Sequence, residues 1–136
     1  MKRAIFPGSF DPFHEGHYDI LVRAQKLFKK VIIFIGNNNQ KKSTDFLQRL
    51  EQIKKFLELR NNKVRIVYGI ENTVDIAKKY HCNYIIRGIR NINDFEYELD
   101  FFHQNKKLNH RIEIVYFMAE YKFKEIQSSK IRKKLF

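Results

Sequence analysis

Short apolar runs alternate along the chain with longer segments of helical periodicity. The runs are Lys2–Phe6, Val31–Gly36, Lys63–Tyr68, Asn83–Arg87 and Arg111–Met118. They are rich in Ile, Val, Tyr and Phe, the residues that β-strands favour. Several are apolar at nearly every position, which is typical of strands covered on both faces. The pattern therefore predicts a buried sheet in which each run is one strand.

The segments between the predicted strands place apolar residues on one side of a helix. The stripes are Ile20, Ala24, Leu27 and Phe28; Phe46, Leu50, Ile53 and Leu57; Val74, Ala77 and Tyr80; and Phe95, Leu99 and Phe102. Ser43 or Thr44 is expected to cap the second helix, and Ser128 a last, basic helix running to Phe136. Strands that alternate with helices predict a parallel sheet with helices on both faces. We therefore expect a single α/β domain over residues 1–136, doubly wound and Rossmann-like, with five strands.

Length and composition narrow the class of protein. The chain has 136 residues, the size of one domain, and 43% of them are hydrophobic, which excludes global disorder. No run approaches the roughly 18–20 apolar residues of a membrane span, and Pro7 interrupts the short apolar start, so no signal peptide is expected. Cys82 is the single cysteine, which excludes a disulfide framework. These features predict a cytoplasmic protein.

The charge balance suggests an anionic partner without identifying it. Lys and Arg number 27 against 15 Asp and Glu, a net charge of +12. Such a balance fits a nucleic acid, a membrane surface or a phosphorylated small molecule. It also fits a composition rich in Lys, Asn, Ile, Phe and Tyr, which AT-rich codons favour. Net charge alone therefore decides nothing.

The loop after the first predicted strand carries the most informative chemistry. Ligands of parallel sheets bind at the carboxyl ends of the strands, which directs attention to the loops 7–16, 37–44, 69–73, 87–94 and 119–128. The first, together with His17 that follows it, reads PGSFDPFHEGH and holds both prolines and two of the five glycines. It is expected to be a rigid turn that leads into a helix near Gly16, whose N-terminus favours anions. His14 and His17 are three residues apart and can lie on one side.

Other interpretations of this loop either fail on the spacing of its residues or assign it no specific chemistry. A zincin needs two histidines four apart, and the second histidine here comes one residue too early. A pair of histidines with no third ligand disfavours structural zinc. Neither G-x-x-x-x-G-K-[ST] nor G-x-G-x-x-G is present, which leaves an ordinary surface histidine pair as the plain alternative.

At this point the sequence resembles a known family. The segment Gly8–Pro12 followed by His14-x-Gly16-His17 resembles the HxGH nucleotidyltransferase superfamily. Further motifs resemble the phosphopantetheine adenylyltransferase family, collinearly from Ala4 to about Lys130: Lys41-Lys42, Ile86–Arg90, Asp94–Glu98 and Ile126–Ser129. The resemblance implies that the acceptor phosphate of 4′-phosphopantetheine attacks the α-phosphorus of ATP, giving dephospho-coenzyme A and pyrophosphate. Such a transfer needs in-line positioning and charge neutralisation, and no protein nucleophile.

The resemblance also implies roles for individual residues. His17 is expected to contact the ATP phosphates and stabilise the transition state, with His14 as a second donor at a position where the family usually has threonine. Arg87 and Lys41, or its neighbour Lys42, are expected to grip the acceptor phosphate.

A larger set is expected to bind the two substrates. The ATP pocket implied by the resemblance comprises Ser9, Phe10, His17, Gly88, Ile89, Arg90, Glu98, Phe123, Lys124, Glu125, Ile126, Gln127, Ser128 and Ser129. Within it, Ser9 would also reach the acceptor and Glu98 would hold the ribose. Thr73 falls where the family touches the pantetheine arm. Gln127 departs from the family, which has serine there.

Cofactor, assembly and partners follow from the same resemblance. It implies Mg²⁺ on the ATP phosphates, with no metal-binding side chain assigned, and a homohexamer. Aromatic residues that could serve an interface, although core packing is the expectation, are Phe101, Phe102, Tyr116 and Phe117. Binding to nucleic acid or membrane is not expected. The rival hypotheses are an HxGH transferase with another acceptor, a basic nucleic-acid-binding module with 15% aromatic residues, and an inactive homologue.

Overall fold

The computed structural model describes residues 2–36, 45–120 and 122. The strands are β1 (Arg3–Gly8), β2 (Lys30–Ile35), β3 (Arg65–Tyr68), β4 (Tyr84–Ile89) and β5 (Glu113–Met118). The helices are α1 (Glu15–Gln25), α2 (Phe46–Glu58), α3 (Thr73–Lys79) and α4 (Ile92–Leu108). Strands and helices alternate as predicted as far as β5, and the helix expected after Ser128 lies outside the described residues. Among the described residues, no helix is both long enough and apolar enough to cross a membrane.

The strands form one parallel sheet in the order β3-β2-β1-β4-β5. The chain winds outward from β1 to β3 and then returns to the other side of β1 with β4. Ala4 pairs with Tyr84 and Ile5 with Ile85, so β1 and β4 are direct neighbours. The reversal of strand order between them opens a crevice at their carboxyl ends, which is where doubly wound sheets bind ligands.

Apolar side chains cover both faces of the sheet. On one face Ala4 and Phe6 of β1 pack with Leu21 of α1 and Ile53 of α2. On the other face Ile5 packs with residues of α3 such as Val74. The alternation along β1 confirms that the strand is covered on both sides, as its continuous apolar run predicted.

The aromatic residues considered for an interface pack into these two cores. Phe117 is buried in the first, and Phe101, Phe102 and Tyr116 lie half-buried against the second. The expectation of core packing is therefore confirmed for all of them.

Several predicted boundaries were wrong by one or two residues. β1 continues through Pro7 to Gly8 because these residues pair with Phe34 and Ile35 of β2. The second helix is capped by Asp45, not by Ser43 or Thr44. The Asp45 Oδ1 atom accepts a hydrogen bond from the backbone N–H of Gln48 at 2.8 Å. A carboxylate immediately before the helix is a strong acceptor for the free N–H groups of the first turn.

Candidate functional site

The loop between β1 and α1 is shaped by a buried ring in an unusual backbone conformation. Phe10 has φ 47°, in the left-handed region that side chains rarely adopt, and it is almost fully buried. Its ring packs against Phe6 and Phe13 with centroids 5.2 and 5.4 Å away. A Cβ on Gly8 would lie 2.8 Å from the Phe10 Cζ atom, so glycine lets the ring lie over the end of β1. Packing therefore holds a strained turn, as is common at functional loops.

The loop ends in a histidine pair that caps α1. His14 is the N-cap, and its Nδ1 accepts a hydrogen bond from the N–H of Gly16 at 3.1 Å. The Nδ1 of His17 in turn accepts from the N–H of His14 at 3.0 Å. The rings stack with centroids 3.7 Å apart and planes inclined by 22°, which confirms that the two histidines lie on one side. Because both Nδ1 atoms accept, the neutral rings carry their protons on Nε2.

The surroundings keep both rings neutral. Burial, and to a smaller extent the Arg90 guanidinium, lower the pKa of His14 to about 4. Burial, His14 and Arg90 together lower the pKa of His17 well below its ordinary value of 6.5. Near pH 7 the pair therefore offers two neutral Nε2–H donors beside a cation. A bound polyanion would oppose these shifts by favouring the charged imidazoles.

Arg90 directly follows β4, and its charge acts on both histidines. Its backbone N–H donates to Asp94 Oδ2 at 2.9 Å, and its Nε donates to the same oxygen at 3.1 Å. Asp94 lies in the first turn of α4, so the helix start orients the arginine. Gly88 lets α1 pack closely against β4, because a Cβ on Gly88 would lie 2.4 Å from the Cδ1 atom of Ile20 in α1. The loops after β1 and β4 thus converge on one crevice.

Arg87 and Glu98 form a nearly buried ion pair next to this crevice. Arg87 donates from Nε to Oε1 at 2.9 Å and from Nη2 to Oε2 at 2.6 Å. Glu98 is 5% exposed, and the guanidinium lies over the ring of Phe101, 4.2 Å from its centroid. The Tyr116 hydroxyl donates to the Glu98 carbonyl at 3.2 Å. Burial and the Glu98 carboxylate raise the pKa of Tyr116 to about 12, so this hydroxyl keeps its proton.

The pairing adds a relationship that sequence analysis did not foresee. Arg87 was assigned to the acceptor phosphate and Glu98 to the ribose, with no contact between them. The bidentate bond occupies two guanidinium nitrogens, and Nη1 has no hydrogen-bond partner among the described residues. A phosphate oxygen can therefore approach Arg87 at Nη1 without breaking the pair.

Two residues of α2 were missed entirely. Arg49 is 4% exposed, and its Nη1 donates to the carbonyls of Ser9 at 2.9 Å and Gly36 at 3.1 Å. Gln52 exchanges two hydrogen bonds with the backbone of Phe13, both 2.9 Å long. A signal was present in the sequence, since Arg49 stands four residues before Ile53 on the buried side of the helix. A charge on an apolar helix face needs a partner.

The other predicted site residues lie as follows. Ile89 is buried at the end of β4, and half-buried Thr73 begins α3 after β3. Lys41, Lys42 and Phe123 to Ser129 lie outside the described residues. Within the described ranges, no three His, Cys, Asp or Glu side chains are grouped as metal ligands.

Comparison with protein families and curated proteins gives concordant results. Residues 5–134 match the model of the cytidylyltransferase-like family. The chain is 39% identical over 133 residues to the phosphopantetheine adenylyltransferase of Mycoplasma mycoides, covering 97% of this chain and 95% of the relative. It is 42% identical over 132 residues to the protein of the same name from Finegoldia magna, covering 96% and 80%.

Solved structures share the fold at low sequence identity. A bifunctional NMN adenylyltransferase/ADP ribose pyrophosphatase from Francisella tularensis superposes with a TM-score of 0.71 at 21% identity, covering 98% of this chain and 41% of that one. A lipopolysaccharide core biosynthesis protein from Thermoplasma volcanium superposes with a TM-score of 0.63 at 23% identity, covering 88% and 98%. These superpositions show that the other proteins share the α/β architecture of this chain.

Proposed function

Because the chain belongs to the cytidylyltransferase-like family and to the phosphopantetheine adenylyltransferases, we propose that it transfers the adenylyl group of ATP to 4′-phosphopantetheine. The products are dephospho-coenzyme A and pyrophosphate, a step of coenzyme A biosynthesis. The structural observation that carries the proposal is the His14–His17 pair, whose Nδ1 atoms are both engaged beside Arg90 at the β1–β4 crevice.

The proposed reaction is a direct displacement at phosphorus. A phosphate oxygen of the acceptor forms a new bond to the α-phosphorus, and the bond from that phosphorus to the pyrophosphate oxygen breaks. Negative charge grows on the leaving pyrophosphate, where the Nε2–H groups of His17 and His14 and the Arg90 guanidinium can stabilise it. The acceptor phosphate is already ionised at neutral pH, so the protein supplies neither a nucleophile nor a strong base.

Binding of the acceptor is assigned to Arg87, with Lys41 or Lys42 as its expected partner. The Arg87–Glu98 bond fixes the guanidinium plane, which makes Nη1 a preorganised donor for one phosphate oxygen. Thr73 is proposed to meet the pantetheine arm.

The nucleotide is proposed to lie across the ends of β1 and β4. The assigned contacts are Ser9, Phe10, Gly88, Ile89, Arg90 and the segment from Phe123 to Ser129. Glu98 is proposed to accept hydrogen bonds from the ribose while it holds Arg87, since a carboxylate offers about four acceptor positions.

Mg²⁺ is proposed to arrive on the triphosphate. The described groups assigned to the phosphates are imidazole and guanidinium donors, and the nearby carboxylates of Asp94 and Glu98 are each paired with an arginine. The metal would therefore be held by phosphates and water, and it would neutralise charge on the pyrophosphate. The proposal also includes a cytoplasmic homohexamer. Light scattering would then give six times the 16.6 kDa chain mass.

A panel of acceptors tests the proposed function. The protein is incubated with ATP and Mg²⁺ and with 4′-phosphopantetheine, nicotinamide mononucleotide or glycerol 3-phosphate, and products are identified by mass spectrometry. Dephospho-coenzyme A should dominate. Preferential adenylylation of another acceptor would indicate a sister enzyme. Binding to random DNA that weakens steeply with salt, with no ATP turnover, would indicate a nucleic-acid-binding module.

A further inference from the structure

One side of α2 is docked along the whole loop between β1 and α1. We name this side the loop-holding stripe and define it as Arg49, Gln52, Phe56 and Arg60, which follow helical spacing into the turn after α2. Phe56 packs edge-on against the ring of Phe13 with centroids 5.1 Å apart, and Arg60 pairs with Glu15 at the start of α1. The stripe thus follows the loop from its first residue to the helix that it enters.

Arg49 holds the start of the loop. Its Nη1 bridges the carbonyls of Ser9 and Gly36, which directly follow β1 and β2. Its Nε donates to the Asp45 carbonyl at 3.4 Å, and the guanidinium lies 4.7 Å from the centroid of the Phe46 ring. Burial disfavours the charged guanidinium, and the carboxylates of Asp11 and Asp45 favour it and partly offset that cost. The two carbonyl bonds of Nη1 then tie the backbone after β1 to the backbone after β2.

Gln52 holds the end of the loop. Its Oε1 accepts from the Phe13 N–H and its Nε2 donates to the Phe13 carbonyl, so one side chain satisfies both backbone groups. The next residue is His14, whose own N–H donates to His17. Fixing the Phe13 backbone therefore fixes the direction in which the His14 N–H points.

Between the two anchors lies the left-handed Phe10. A strained residue persists only where its surroundings over-determine it, and Arg49 and Gln52 provide that restraint from outside the loop. We propose that Arg49 and Gln52 are positioning residues, which hold the loop so that the Nε2–H groups of His17 and His14 meet the triphosphate. The proposal rests on the proposed function, because it gives the held geometry a catalytic purpose.

If Arg49 and Gln52 only stabilised the fold, their variants would lose stability alone. A positioning role predicts that folded variants also lose activity. Gln52→Met keeps the length and volume of the side chain and removes both hydrogen bonds to Phe13. Arg49→Lys keeps the charge but loses the planar fork. Ile53→Val serves as the matched control, since it loosens the buried side of the same helix and removes no hydrogen bond to the loop.

Two readouts are taken at a temperature at which circular dichroism shows every variant folded. Steady-state kinetics should show kcat about tenfold lower for Gln52→Met and Arg49→Lys, with a smaller change in the KM for ATP, because misplacement of transition-state donors costs up to about 10²-fold. Ile53→Val should keep the wild-type kcat. The ¹⁵N signals of the His17 imidazole, read by two-bond correlation at pH 7.5, should show a single Nε2–H tautomer in wild type and in Ile53→Val, and a tautomer mixture in Gln52→Met.

The outcomes separate the two proposals. Imidazole signals in Gln52→Met that match those of Ile53→Val would overturn the positioning role, and so would an unchanged kcat in both loop variants. Absence of adenylyl transfer by the wild-type protein would instead reject the proposed function, while the imidazole signals would still test whether the stripe holds the loop.

Discussion

The backbone N–H of His14 donates a hydrogen bond to the Nδ1 atom of His17 at 3.0 Å, and the two rings stack with centroids 3.7 Å apart. This bond fixes the neutral tautomer of His17, so that its proton sits on Nε2. The same bond completes the cap of α1. The His17 side chain therefore both stabilises the start of the helix and presents a donor for the reaction.

His17→Gln should reduce turnover by at least about 10²-fold while leaving the fold intact. The glutamine oxygen can still accept at the third position of the helix, as in a capping box, but the imidazole donor is lost. Steady-state kinetics and thermal unfolding measure the two effects. His103→Gln, on an exposed position of α4, is the control and should behave as wild type. Near-normal turnover in His17→Gln would remove that residue from its assigned role.

Stability should fall as the pH drops from about 6.5 to about 4. The pKa of His14 is about 4 in the folded state against 6.5 as its ordinary value, so the unfolded state binds more protons in this window. The contribution of neutral His14 to the free energy of unfolding is complete above pH 6.5 and is lost by pH 4. This loss is about 3 kcal/mol at most.

The test of this pH dependence is urea unfolding of wild type and His14→Thr at several pH values. Threonine can cap the helix but does not titrate. The stability of wild type should decline more steeply than that of the variant. Parallel pH profiles would show that His14 is not the titrating group.

Glu98→Gln should cost about 2–3 kcal/mol of unfolding free energy, because it leaves a nearly buried guanidinium without its carboxylate. Under the proposed function it should also raise the KM for 4′-phosphopantetheine, since the Arg87 plane is no longer fixed. Glu51→Gln removes a carboxylate from an exposed pair with Lys54 and should change stability by less than about 0.5 kcal/mol. Equal stability losses in the two variants would contradict the weight given to the Arg87–Glu98 pair.

Gly88→Ala should destabilise the protein by about 1–3 kcal/mol, because the new methyl group would lie 2.4 Å from the Cδ1 atom of Ile20. Ile20→Val removes that carbon, so the double variant should be more stable than the sum of the single changes implies. A double-mutant cycle by chemical denaturation measures the coupling. Strict additivity would mean that the close approach of α1 to β4 is not what requires glycine.

The sequence was a good guide wherever a local pattern reports on structure. Apolar runs such as Val31–Gly36 identified the strands, and the three-residue spacing of His14 and His17 correctly predicted that they share one side. Strand ends were less accurate, because Pro7 and Gly8 look like turn residues but are held extended by pairing with β2.

Contacts between distant segments were not predictable in this way. The Arg87–Glu98 pair joins a strand to a helix, and nothing in the spacing of the two residues distinguishes it from two solvated charges. Arg49 reaches Ser9 across 40 positions of the chain. Its burial could have been suspected from the apolar helix side on which it stands, but its carbonyl partners follow only from the tertiary structure.

Pyrophosphate release from ATP, followed in the presence of Mg²⁺ with and without 4′-phosphopantetheine, is the decisive measurement of direct adenylyl transfer. We expect steady release that requires the acceptor and matches dephospho-coenzyme A mole for mole. A burst of about one equivalent per chain without acceptor would contradict direct displacement, and no release under either condition would contradict the assignment of adenylyl transfer to this crevice.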